Sequence, residues 1–167
     1  QSRVYVGTFD GRLVALDAAT GKQLWTAVTA DPDGMHTITG APRVGAGLVF
    51  IGNGGGEFGG RGYVSAYKAD TGELAWRFYT VPGEAGKPDG AASDEIMDRV
   101  VQPTWFGEHT PWRGGGMVWN SIVFDPEFDQ IYLATGNGYP WPRQLRSDGK
   151  GDNLFICSVI ALDAKSG

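Results

Sequence analysis

Cysteine and histidine are scarce in this sequence, and no long apolar run occurs among its 167 residues. The single Cys157 excludes an internal disulfide, a multi-cysteine metal site and a Cys-x-x-Cys-His haem attachment within the chain. Set in Leu154-Phe155-Ile156-Cys157-Ser158-Val159-Ile160, it reads as a small buried hydrophobe. His36 and His109 have no second histidine or carboxylate at a ligand spacing, so both read as structural or exposed. Nothing approaches the roughly 20 apolar residues of a membrane-spanning helix. No leader pattern is present either, although the first residue is Gln1 rather than Met. Basic residues are the minority charge, 14 against 19 acidic for a net −5, and they are scattered. The positive footprint that grips a phosphate backbone is therefore missing, which argues against nucleic acid as a partner.

Glycine is abundant. The 27 glycines are roughly twice average usage and favour many tight turns over long helices. The organising signal is internal repetition. Ala15-Leu16-Asp17-Ala18-Ala19-Thr20-Gly21-Lys22-Gln23-Leu24-Trp25 aligns in register with Ala66-Tyr67-Lys68-Ala69-Asp70-Thr71-Gly72-Glu73-Leu74-Ala75-Trp76. Ala161-Leu162-Asp163-Ala164-Lys165-Ser166-Gly167 begins a third copy. Ahead of each lies a β-branched or aromatic strand: Val4–Gly7, Leu48–Gly52 and Ile131–Gly136. In each copy a polar turn ends on a glycine at positive φ, and the following tryptophan offers a flat face to a neighbouring unit.

Such units cannot bury both faces alone, and stacking them radially gives an all-β partial propeller of about three blades. The expected layout is the end of one blade over 1–29, a second blade over 36–80, an insertion loop over 81–114, and the start of a third blade over 115–167. On this reading the chain is an internal piece of a larger propeller, beginning inside a blade and ending inside a turn. The insertion carries Glu84, Asp89, Asp94, Glu95 and Asp98, most simply a solvated loop face.

Gly54-x-Gly56-x-x-Gly59 satisfies a dinucleotide fingerprint after a strand, but the segment that follows, Arg61 to Tyr67, alternates as a strand instead of opening a helix. What remains is a glycine run that lets backbone approach a flat ligand, with Glu57 at its end. Taken alone, Glu57 reads as a surface carboxylate, Asn137-Gly138 as a hairpin turn and Trp119 as a core aromatic.

Together, however, the motifs resemble those of the pyrroloquinoline quinone (PQQ)-dependent alcohol dehydrogenases. The resemblance is carried by Gly55-Gly56-Glu57-Phe58-Gly59-Gly60-Arg61-Gly62-Tyr63-Val64 with Trp76 to Gly83, and by Gly115-Gly116-Met117-Val118-Trp119 with Asp125-Pro126-Glu127. It is carried further by Gly136-Asn137-Gly138-Tyr139-Pro140-Trp141 leading to Gly151-Asp152-Asn153-Leu154-Phe155. It covers nearly the whole chain and implies an eight-bladed quinoprotein propeller. It further implies PQQ and a metal cation near the axis, a divalent Ca²⁺ or, as the alternative, a lanthanide.

Position by position, the resemblance makes Glu57 and Asn137 metal ligands through oxygen, a donor type that suits a hard cation. It lays Trp119 against one face of the quinone and Gly54, Gly55 and Gly56 along the other, and gives Thr39 a hydrogen bond to the cofactor. Met117 departs from the threonine of many relatives, which puts one polar contact in doubt. The family's catalytic aspartate is expected beyond Gly167, so no catalytic residue is assigned within the chain, which is expected to be inactive in isolation.

The implied parent is a periplasmic enzyme that oxidises small primary alcohols to aldehydes by hydride transfer to PQQ, with the cation as Lewis acid. Its electrons pass to a cytochrome c, and haem c belongs to the parent or a partner. The alternatives are a non-catalytic propeller scaffold and a PQQ-dependent sugar dehydrogenase. The ligand reading requires Glu57, Asn137 and Trp119 to face one cavity, whereas the alternative puts them on different surfaces.

Overall fold

The computed structural model describes residues 2–30, 36–108 and 113–167; His109 and Pro111 lie outside them. The first antiparallel sheet has the order β1 (Arg3–Gly7), β2 (Arg12–Asp17), β3 (Gln23–Val28). The second contains β4 (Arg43–Gly45), β5 (Leu48–Gly52), β6 (Tyr63–Lys68) and β7 (Leu74–Tyr79), again in chain order. A short strand β8 (Gly114–Gly115) pairs with β11 (Gly138–Tyr139). The third sheet joins β9 (Ile122–Asp125), β10 (Gln130–Ala134) and β12 (Val159–Asp163), with β10 in the centre.

Burial patterns show how these sheets stack. β5 is buried at all five positions. With a side-chain period of two, Leu48 and Phe50 enter one core with Ile122, Ile131, Leu133 and Leu162 of the third sheet. Val49 and Ile51 enter the other, with Leu13 of the first sheet. The second sheet is thus covered on both faces. β1, by contrast, alternates exposed with half-buried residues, the pattern of a strand with one face in solvent.

The repeated turns supply the cross-links. The Asp17 carboxylate accepts from the backbone N–H groups of Ala19 and Thr20 and from the Thr20 hydroxyl. Asp163 does the same for Lys165 and Ser166, so its carboxyl pKa is held below the ordinary value, chiefly by the Ser166 hydroxyl. Gly21, Gly72 and Gly167 all take positive φ, as the turn chemistry requires. Each tryptophan then docks on the next turn along the chain: Trp25 Nε1 donates to the Ala69 carbonyl and Trp76 Nε1 to the Ala164 carbonyl, both at 3.1 Å. The bulge between Ala15 and Leu16 recurs at the aligned pair Ala66 and Tyr67.

The structure corrects one local reading and refines another. Cys157 is exposed, because residues 154–157 form turns and Cys157 itself has φ 49°, which swings its side chain out before β12 begins. Glu84, Asp89, Glu95 and Asp98 of the insertion are exposed, as a solvated loop face implies, but Asp89 and Asp94 also tie the loop down. Asp89 makes a two-pronged pair with Arg61 at 2.7 and 2.8 Å, and Asp94 accepts from the N–H groups of Asp89 and Gly90. The insertion also carries short helical segments, α1 (Asp94–Ile96), a π turn (Met97–Val101) and a 3-10 turn (Gln102–Thr104). Met97 and Val101 there join the core below Phe78, so the insertion is packed against the second sheet.

Candidate functional site

At one end of the sheets, backbone packs directly on backbone. β5 runs out at Asn53, whose buried amide donates to the Arg61 carbonyl at 3.1 Å and accepts from Tyr63 N–H at 3.0 Å. That pair of bonds folds 54–62 into a closed loop, with a 3-10 turn over Gly56–Phe58 and Gly55 at φ 98°. Next to it lie β8 and β11: Gly115 N–H donates to the Gly60 carbonyl, Gly62 N–H to Gly115, and Gly116 N–H to Asn137. Glycine is needed at 115, where φ is 96° and a Cβ would lie 2.4 Å from the Asn137 carbonyl oxygen. The dinucleotide fingerprint is thereby explained away, since β6 follows the glycine run where a phosphate-binding helix would have to start.

This close stacking brings Glu57, Asn137 and Trp119, with Gly54–Gly56, onto one cavity of about 720 Å³. Thr39 lines it as well. Trp119 is 54% exposed, so it is not a core filler, and its indole Nε1 edge lies against Gly136. Asn137 is not in a hairpin turn; it precedes β11, and its Nδ2 donates to the Gly138 carbonyl at 3.1 Å, leaving Oδ1 without a partner among the described residues. Glu57 is the one charged side chain on the cavity among the described residues, and none of them pairs with it. Met117 is buried below, its side chain against Gly56. His36, read as structural, sits beside the Tyr63 ring with Nε2 3.2 Å from the Arg61 carbonyl.

Sequence reasoning missed Phe9, Phe58, Trp141 and Thr37, which share the same cavity. Thr37 was legible. Thr37 and Thr39 flank Ile38, which is buried, so the two hydroxyl residues share a face by the period-two rule. Phe9, in the turn between β1 and β2, carried no such signal.

A family model described as the β-propeller domain of the glucose, ethanol and alcohol dehydrogenases, of PQQ type, matches residues 1–167. The chain belongs to this family. The fold is accordingly part of a quinoprotein β-propeller. The chain is 54% identical to the quinohemoprotein alcohol dehydrogenase ADH IIB of Pseudomonas putida, over 99% of its own length and 24% of that relative. Among solved structures, the quinohemoprotein alcohol dehydrogenase ADHIIG of Pseudomonas putida HK5 superposes with a TM-score of 0.90 at 51% identity, covering 99% of the chain and 24% of that protein. A europium-containing methanol dehydrogenase superposes at 0.83 with 34% identity, covering 100% and 29%. The propeller chain thus spans about a quarter of the length of these quinoprotein relatives.

Proposed function

We propose that the protein is a quinoprotein alcohol dehydrogenase and that this segment holds much of its cofactor and cation site. The observation that carries the reading is the convergence of one unpaired carboxylate, one amide oxygen, a half-exposed indole and a side-chain-free glycine run on a single cavity. Relatives named for alcohol oxidation support the reaction, and the europium of the methanol dehydrogenase supports a hard cation.

The residues fit those groups. Glu57 and Asn137 carry oxygen donors, the chemistry that a hard cation selects, and Glu57 is exposed on the cavity with no cation of the described residues paired to it. Two ligands do not complete a shell, and among the described residues no group of three or more His, Cys, Asp or Glu could hold a metal. The aspartate expected beyond Gly167 would add a third. Gly54–Gly56 leave a cradle for a planar ring; a Cβ at Gly54 would meet the Thr37 hydroxyl at 2.9 Å. Trp119 would close the other face, Thr39 would donate a hydrogen bond, and Met117 would contribute a thioether contact where relatives offer a hydroxyl.

When bound, PQQ would supply the hydride acceptor for the alcohol, and a cation held by Glu57 and Asn137 would supply a Lewis acid. The chain's own residues would bind and orient: Glu57 would neutralise positive charge, Asn137 would offer its amide oxygen, and Trp119 would shield one ring face from water. The expected aspartate takes the alcohol proton. In the same reading the enzyme is periplasmic and delivers its electrons to a cytochrome c.

The test is calorimetric titration of the full-length apoprotein with Ca²⁺, beside its Glu57→Gln and Asn137→Ala variants. Each variant should weaken binding more than about 10-fold, because ligand charge and count set Ca²⁺ affinity. Wild-type affinity in both would overturn the assignment. Dye-linked oxidation of primary alcohols but not of glucose separates this reading from a sugar dehydrogenase.

A further inference from the structure

We propose that Arg146 is the positioning residue for the part of the cavity wall that carries Asn137 and Trp141. The inference rests on the reading of Asn137 as a cation ligand. Asn137 and Trp141 line both the 720 Å³ cavity and, with Gly138, Arg146, Ile156 and Cys157, a smaller open depression of about 290 Å³. Trp141 is 71% exposed and Asn137 is exposed as well, so side-chain packing does little to hold this stretch of wall.

Arg146, in α2 (Arg143–Ser147), supplies what packing does not. It is 7% exposed, and none of the described carboxylates forms an ion pair with it. A buried, permanently charged guanidinium is costly, and a methionine would fill the same volume without that cost. Its contacts account for its presence. Nη1 donates to the carbonyls of Pro140 and Trp141 at 2.6 and 2.8 Å, and Nε donates to Asn153 Oδ1 at 3.1 Å. A Cβ on Gly138 would lie 2.6 Å from Nε, so the guanidinium also presses on the backbone next to Asn137.

The anchor is itself anchored. Asn153, 1% exposed, donates through Nδ2 to the Thr104 carbonyl at 3.1 Å and to Ser147 Oγ at 2.8 Å, tying the wall to the helical insertion. On its other side, the Asn137 carbonyl accepts from Gly116 N–H at 2.9 Å. The backbone at Asn137 is thus held by β8 and by the bonds of Gly136 to Met117 and Cys157, while the Arg146 fork is what fixes the Pro140–Trp141 end of the wall. Lysine would keep the charge, but as a point charge it cannot reproduce the fork's simultaneous bonds to two carbonyls and an amide.

The experiment compares amide hydrogen exchange and Ca²⁺ titration in the full-length protein and its Arg146→Lys and Arg146→Met variants. Exchange at Gly138, Tyr139 and Trp141 should rise roughly 10-fold or more while that of β5 is unchanged, because local opening is uncoupled from the global core. Ca²⁺ affinity should fall ~10- to 100-fold, as for other outer partners of a metal ligand. Exchange at those three amides within about twofold of wild type in Arg146→Lys would overturn the proposal. So would acceleration spread evenly through all strands with Ca²⁺ affinity retained, the mark of a general stabilising role. If Asn137→Ala binds Ca²⁺ like wild type, the ligand reading falls, and the exchange data alone then decide whether Arg146 holds the wall.

Discussion

Docking of Trp25 on the turn at Gly72 can be isolated by a single methyl group. Gly72 has φ 75°, and a Cβ there would lie 2.6 and 2.7 Å from Trp25 Cε3 and Cδ2. Gly47, in the β4–β5 turn of the same sheet, has the same φ of 75° and nothing within 4 Å of its added Cβ. Both Gly→Ala changes place an L side chain in the left-handed region, at about 1–2 kcal/mol. Only Gly72→Ala also drives the indole back by about 1 Å to reach ordinary carbon contact near 3.5 Å. That shift gives up the Trp25–Ala69 hydrogen bond, about 1 kcal/mol, and part of the ring's packing, about another. Gly47→Ala should therefore cost about 1–2 kcal/mol and Gly72→Ala about 3–4. Urea unfolding followed by tryptophan fluorescence, at equal m-values, measures both. Costs equal within about 0.5 kcal/mol would mean that backbone strain alone sets the turn and that the docking contact contributes nothing.

Trp76→Phe keeps a ring at the next dock but removes the donor to the Ala164 carbonyl, and should cost about 1–2 kcal/mol in the same assay. Burial pushes the Tyr63 phenol up to about 12, against about 10 in an unfolded chain. Because the folded pKa is raised, this contribution is complete below pH ~10 and is lost as pH climbs toward 12, by up to about 2–3 kcal/mol. Absorbance titration at alkaline pH should show one phenol ionising near 12 that vanishes in Tyr63→Phe; ionisation of every tyrosine near 10 would refute the burial argument.

Much of the fold was legible because its punctuation is local. The Asp17 and Asp163 turns are closed by hydrogen bonds spanning two or three residues, so the residues that make each turn lie next to one another in the chain. The candidate site was legible only through the joint resemblance of several motifs. Singly, Trp119 read as a core residue and Asn137 as a turn, and both readings failed once neighbouring backbone was in place. Cys157 misled for a similar reason. Its apolar neighbours are real, but the chain turns there, and side-chain direction follows backbone φ rather than local hydropathy.

By itself the sequence determined the repeated turns, the strands before them, and the spacing that stacks one unit on the next, since these depend on residues within a few positions of each other. Tertiary structure decided which residues meet. Glu57 and Asn137 share a cavity because glycine backbones of separate loops pack at distances that no side chain tolerates. Arg61 finds Asp89, and Arg146 finds the carbonyls of the cavity wall, through contacts set by how the insertion and α2 fold back on the sheets. Such pairings depend on the path of the chain through space, and neither composition nor periodicity carries that information.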